Sequence, residues 1–114
     1  MQEEFFEITP EAAEIVNSAG RVIAVGTTST RVLESAADEA GKIISSSAYT
    51  RLFIYPGHRF KRVDSLITNF HLPRSSLYLL VCAFAGKRQT EEAYKKAIRD
   101  RFRFYSYGDC MLVL

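Results

Sequence analysis

Apolar residues recur along this chain in short runs set between polar turns, and their spacing predicts alternating helices and strands. Over residues 10–19, Ala12, Ile15, Val16 and Ala19 share one face at the helical period. Thr9-Pro10-Glu11 opens that helix with a hydroxyl cap, a proline whose missing N–H is harmless at the first position, and a carboxylate near the positive helix end. Gly20 ends it. RVIAV, residues 21–25, is a β-branched run that reads as a buried strand. After the turn Gly26-Thr27-Thr28-Ser29-Thr30, the stripe Leu33, Ala36, Ala37 and Ala40 predicts a second helix, closed by Gly41.

Residues 42–51, with three consecutive serines, read as a loop, and residues 52–55 as a short strand halted by Pro56-Gly57. Joining two such strands through a helix favours a right-handed, parallel crossover. Residues 65–70 predict a third strand, ended by His71-Leu72-Pro73. Ser75 or Ser76 caps the next helix, which is apolar nearly all round from Leu77 to Phe84 and is therefore central; Gly86 terminates it. Thr90-Glu91-Glu92 starts the last helix, with Tyr94, Ile98 and Phe102 along one side and Lys95, Arg99 and Arg103 along another. Residues 110–114 close the chain as a strand. The fold class is α/β, a mostly parallel sheet flanked by helices, as one domain over residues 1–114.

Composition narrows the function classes. A chain of 114 residues can bury one core but lies near the lower edge for a self-sufficient α/β enzyme, so it reads as one domain or part of a larger one. A formal charge of +2 does not announce nucleic acid, although Arg59, Lys61 and Arg62 form a local cluster that can meet RNA phosphates or be plain solvated surface. Cys82 and Cys110 have neither metal-ligand spacing nor a disulfide framework, and packed, reduced thiols are expected. No metal site and no membrane span are expected, and the chain reads as cytoplasmic.

If the first three strands are parallel, the turns Gly26-Thr27-Thr28, Tyr55-Pro56-Gly57 and Asn69-Phe70-His71 emerge at one carboxyl rim, where open α/β sheets hold ligands. The hydroxyls and N–H groups of the first turn suit a carboxylate, a ribose hydroxyl or a phosphate. That turn lacks P-loop and dinucleotide-fold spacing. His71 is either a general acid or base, since imidazole titrates near neutrality, or a hydrogen-bonded structural group. Asn69 offers both donor and acceptor, and Phe70 or Tyr55 suits stacking on a purine, Phe70 being equally a core candidate. His58 is expected to meet solvent or phosphate.

The segments AVGTTSTRVLES, FIYPGHRFKRVDSLITNFHLP, LVCAFAG and RFRFYSYGDCMLVL also resemble, in order, successive motifs of the S-adenosylmethionine:tRNA ribosyltransferase-isomerase family of queuosine biosynthesis. The resemblance covers almost the whole chain but only the C-terminal third of the family pattern, which makes this a partial α/β domain of a larger enzyme, without the family's inserted β-barrel domain. It implies a bacterial enzyme that takes S-adenosylmethionine as a ribosyl donor and co-substrate, with no cofactor. Its partner would be a tRNA bearing 7-aminomethyl-7-deazaguanine, and its products epoxyqueuosine, adenine and methionine. In that chemistry His71 is the candidate acid or base. Thr27, Thr28, Ser29 and Arg31 suit the methionine carboxylate or ribose, Arg31 by a bidentate grip. Tyr55, Asn69 and Phe70 suit a nucleobase.

Three positions depart from the family pattern: Gln2 stands where histidine is usual, His58 replaces tyrosine, and Arg74 replaces a common lysine. Tyr107-Gly108-Asp109 resembles the last motif, and Asp109 reaches the pocket only if the final strand is antiparallel. Two functional readings compete with a catalytic portion of the ribosyltransferase: a non-catalytic fold fragment, and a basic RNA-binding module without turnover. The sequence sets no oligomeric state.

Overall fold

The computed structural model describes residues 3–72, 75–105 and 108–114. In chain order its elements are β1 (Glu4–Ile8), α1 (Pro10–Ser18), β2 (Ile23–Val25), α2 (Thr27–Ala36), β3 (Ser46–Thr50), β4 (Ser65–Asn69), α3 (Ser76–Ala85), α4 (Lys87–Arg99) and β5 (Cys110–Val113). β1 and β3 form an antiparallel ribbon, whereas β4 is the centre of a three-stranded sheet with β2 parallel on one side and β5 antiparallel on the other. The α/β class holds and the sheet is mixed: among the described residues only the β2–β4 pairing is parallel.

The expected strand at residues 52–55 is not one. The Arg31 guanidinium, arriving from α2, takes the carbonyl of Leu52 at 3.0 Å, and Ile54 is fully buried without any ladder. The strand of that region lies earlier, at β3, inside the stretch that reads as a serine loop. Its partner β1 alternates, with Phe6 and Ile8 turned inward and Phe5 outward, where Phe5 packs edge-on against Tyr49 at 5.3 Å.

α1 begins as its sequence predicts, Thr9 Oγ1 accepting from the N–H of Ala12 at 3.1 Å. Its inner face is rotated from the expected stripe: Ala13 is buried and Val16 half-buried, while Ile15 is 72% exposed. Asn17 accounts for this, because its side chain accepts from the Ile43 N–H at 2.7 Å and donates to the Ile43 carbonyl at 2.9 Å, drawing that face onto the chain. Phe6, Ile8, Ala13, Ala36, Ala37 and Ile43 form the small core beneath.

α3 covers one face of the three-stranded sheet. Leu80 and Val81 pack with Ala24, Leu66, Ile54 and Val63, and Met111 and Val113 of β5 close the layer. Gly86, at φ +92°, both ends α3 and precedes α4. α4 therefore starts three residues before Thr90, whose buried hydroxyl turns back to the Gly86 carbonyl at 2.8 Å. Tyr94 and Ala97 are its buried positions, and Ile98 faces outward. Cys82 is packed as expected; Cys110, on an edge strand, is exposed. No described helix is long and apolar enough to cross a membrane.

α4 ends in a two-bond cap, with Phe102 N–H donating to the Ala97 carbonyl at 2.9 Å and Arg101 N–H to Ile98 at 3.2 Å. This geometry places Arg101 at φ +60°, where glycine carries no Cβ penalty. Arg101→Gly is expected to raise stability by about 0.5–1 kcal/mol, read as a higher urea midpoint. A lower midpoint would show that the cap is not what holds this turn.

Candidate functional site

Parallel pairing of β2 with β4 and antiparallel pairing of β5 bring three chain segments to one rim of the sheet: Gly26-Thr27 after β2, Asn69 at the end of β4, and Asp109 just before β5. Gly26 N–H donates to the Ile67 carbonyl at 2.8 Å, and Asn69 Nδ2 donates to the Asp109 carbonyl at 3.3 Å. The direction of the last strand is thus the one that returns Asp109 to the rim. Its carboxylate is not idle there: the Arg103 guanidinium lies 3.2 Å away, and this pairing holds Asp109 below the usual carboxylate range. Tyr107, Gln2 and Arg74 lie outside the described residues.

Thr27, Thr28 and Ser29 form the first turn of α2, and no side chain caps that turn at Gly26. Arg31, one turn further, is 2% exposed. Besides the Leu52 carbonyl, its guanidinium holds the carboxylate of Glu4 at 2.6 Å. A bidentate grip on a ligand carboxylate would have to displace Glu4, which is itself only partly covered, at 38% exposure. Thr28 Oγ1 stands 3.5 Å from the same Glu4 oxygen. The site therefore presents a carboxylate backed by a buried cation, where the sequence points to the cation alone.

Beside Thr28 and Ser29 lies a groove of about 380 Å³ between β1, α1 and the start of α2, with Glu7 the charged residue of its lining. Phe6, Ile8, Val16 and Val32 give it an apolar wall, and Thr28 and Ser29 stand among its lining residues.

His71 turns toward the helical side of the sheet. Its Nε2 is 2.8 Å from Thr68 Oγ1, and its backbone N–H donates to the hydroxyl of Tyr94 at 2.9 Å. Half-burial lowers the His71 pKa below 6.5, so the imidazole is neutral at pH 7 and fitted to accept a proton. Burial raises Tyr94, which keeps its phenolic proton. Among the described residues no hydrogen bond joins His71 to Thr27, Thr28, Ser29 or Asp109.

The sign of the His71 effect on stability follows from the direction of its shift. Above pH 6.5 the group is neutral folded or unfolded and contributes nothing; as pH falls through 6.5 toward the folded value, the unfolded chain takes up the proton first and stability drops. An NMR titration should place His71 below the ordinary value, and replacement by Asn should remove that share of the acid-side loss. A midpoint at or above 6.5 refutes the assignment.

Phe70 belongs to an aromatic cluster, with ring centroids 5.3 Å from Phe104, 5.4 Å from Tyr94 and 5.7 Å from Phe102, and is 4% exposed. Its position is that of a core residue. Tyr55 is 55% exposed, its ring 5.5 Å from Phe53.

The loop that carries Tyr55 and the basic cluster is organised by Glu34. This carboxylate is wholly buried and accepts from the N–H groups of Lys61 at 2.8 Å, Arg62 at 2.9 Å and Val63 at 3.1 Å, while His58 Nε2 stands 3.0 Å away. His58 thus meets a buried carboxylate where solvent or phosphate is the sequence expectation. Arg62 is also committed, donating to the Val16 and Ala19 carbonyls at 2.7 Å each and so closing the C-terminal end of α1. Lys61 reaches the exposed Glu39 at 3.2 Å, and Arg59 is exposed. Glu4 and Glu34 escape a sequence reading. The only signal for Glu4 is its two-residue spacing from Phe6 and Ile8; Glu34 carries none, because its partners lie far along the chain.

Comparison with known proteins decides the lineage of this arrangement. A family model described as queuosine biosynthesis protein matches residues 1–113. The chain belongs to that family. Among members of the queuosine biosynthesis family, an S-adenosylmethionine:tRNA ribosyltransferase-isomerase from Syntrophus aciditrophicus is 65% identical over 114 residues, covering all of this chain and 32% of the relative. One of the same name from Carboxydothermus hydrogenoformans is 56% identical over 118 residues, again over the whole of this chain and 35% of the relative. The crystal structure of an S-adenosylmethionine tRNA ribosyltransferase from Thermotoga maritima superposes with a TM-score of 0.83 at 44% identity, over 96% of this chain and 40% of that one. The chain spans about a third of the length of the curated relatives it matches.

Proposed function

We propose that this chain supplies part of the active site of an S-adenosylmethionine:tRNA ribosyltransferase-isomerase. In that reaction the ribosyl unit of S-adenosylmethionine passes, with isomerisation, to the aminomethyl group of 7-aminomethyl-7-deazaguanine in tRNA, leaving adenine and methionine. The observation that carries the reading is the meeting of the Thr27–Ser29 turn, Asn69 and Asp109 at one sheet rim in a chain whose relatives bear that enzyme name.

The chain's own residues divide the work. Thr27, Thr28 and Ser29 offer hydroxyls to the donor, and Asn69 and exposed Tyr55 suit a nucleobase. His71, neutral at pH 7, offers Nδ1 as acceptor of a proton from the carbon beside the sulfonium in the tautomer whose Nε2–H donates to Thr68 Oγ1. Arg31 acts through Glu4, and Asp109 through the Arg103 pairing that shapes the rim. Arg59 and Lys61 are the basic residues placed to meet tRNA phosphates, Arg62 serving α1 instead. The work belongs to the bacterial cytoplasm, and S-adenosylmethionine is a co-substrate with no cofactor beside it.

The test uses S-adenosylmethionine labelled in its ribose together with the modified tRNA. Saturable retention of the donor by the 114-residue chain, with no label entering tRNA, is the expected result. Label in the tRNA would make the chain a complete catalyst and overturn the partial-site reading; no retention of the donor would overturn the donor site.

A further inference from the structure

We infer that the groove between β1, α1 and α2 seats the methionine arm of the sulfonium donor, with Glu4 taking the α-ammonium group. The inference rests on the donor reading above and assigns one part of the donor to one place.

Glu4, Phe6 and Ile8 alternate along β1 and so share the face turned to α2. Phe6 and Ile8 wall the groove, which Glu7 and Thr28 also line, and Thr28 Oγ1, 3.5 Å from Glu4 Oε1, joins the groove to the Glu4 carboxylate at the start of β1. Oε1 of that carboxylate is fixed by Arg31 at 2.6 Å and neighboured by Thr28 Oγ1 at 3.5 Å, and the Glu4 side chain is 38% exposed. The groove, about 380 Å³, exceeds what one unbranched thioether side chain requires and offers it Phe6, Val16 and Val32 for contact.

Charge selects the occupant. A ligand carboxylate with no ammonium beside it would meet Glu4 without a countercharge, and a purine would place polar ring nitrogens against apolar wall atoms. An ammonium group joined to an apolar thioether satisfies both ends, with Thr28 and Ser29 at hand for the adjoining carboxylate. The buried Arg31 holds Glu4 in place, which makes Glu4 the contacting group and Arg31 its positioning residue.

Free methionine, the leaving product, and the intact donor share this arm, and adenosine lacks it. NMR titration of the 114-residue chain with each follows the methyl groups of Ile8, Val32 and Leu33 and the amides of Thr28 and Ser29. Methionine and S-adenosylmethionine are expected to shift that set and adenosine to leave it unmoved. Removing the amine, as in 4-(methylthio)butanoate, should weaken binding by about tenfold, as should Glu4→Gln, since each deletes one charge-assisted hydrogen bond. The two changes together should cost no more than either alone. The analogue tests the contact without touching the Glu4–Arg31 pair, so a variant that folds poorly does not decide the outcome. Equal affinity for methionine and its desamino analogue, or groove shifts driven by adenosine, would overturn the assignment. Donor shifts confined to Asn69–His71 would overturn it while the donor reading stands, and silence from every ligand would end both.

Discussion

Glu34→Ala should destabilise this chain by about 3–5 kcal/mol, a large part of what holds a domain of this size together. The carboxylate is wholly buried and accepts three consecutive backbone N–H groups, those of Lys61, Arg62 and Val63, while also meeting His58. Alanine would leave those donors without partners where water reaches poorly, at about 1–3 kcal/mol for each buried group left unsatisfied. Glu34→Gln keeps the shape and one carbonyl acceptor but aims an N–H₂ group at N–H donors, so an intermediate loss is expected. Urea unfolding of the three chains side by side is the measurement. A loss below about 1 kcal/mol for alanine would mean the loop over residues 58–63 stands without the carboxylate.

Phe70→Ala is the second large effect, expected at about 3–5 kcal/mol for a buried phenyl group whose cavity cannot collapse. Three rings pack around it within 6 Å between centroids, from α4 and from the segment that follows it. The same ring offered to a nucleobase would cost ligand affinity and leave the unfolding midpoint alone. Tyr55→Ala provides the contrast: with its ring 55% exposed, a change within about 0.5 kcal/mol is expected. If Phe70→Ala unfolds no more easily than Tyr55→Ala, the core assignment of Phe70 fails.

These two residues also mark what was legible in the sequence. The starts of α1 and α3 were, because Thr9-Pro10 and Ser75 carry their capping chemistry within a few residues, whereas α2 stops at Ala36, short of the expected Gly41, and α4 starts before the expected Thr90. So were the Gly26-Thr27 and Asn69 parts of the rim, since β4 ends where TNFHLP breaks the strand pattern, but the Tyr55-Pro56-Gly57 turn expected beside them follows no strand. The β1–β3 ribbon was not: its strands are half polar and pair residues at opposite ends of the first half of the chain. Nor were Arg31 and Glu34, which sit on α2 at positions that periodicity assigns to solvent. Each is buried because a partner arrives from elsewhere, Glu4 for one and the backbone of residues 61–63 for the other. Phe70 was readable either as stacking platform or as core, and only the arrival of Phe102, Phe104 and Tyr94 separates the two.

The sheet joins segments in an order that the chain does not make them. β4 is the central strand, yet one of its neighbours is laid down long before it and the other, β5, comes after both remaining helices. α3 and α4, by contrast, adjoin through Gly86 alone. The helical pair can therefore assemble in its own time, on local contacts, while β4 waits with an open edge for residues 110–113. Folding of this chain should be paced by that last closure, and the interval before it is when an unpaired β4 is exposed to wrong partners.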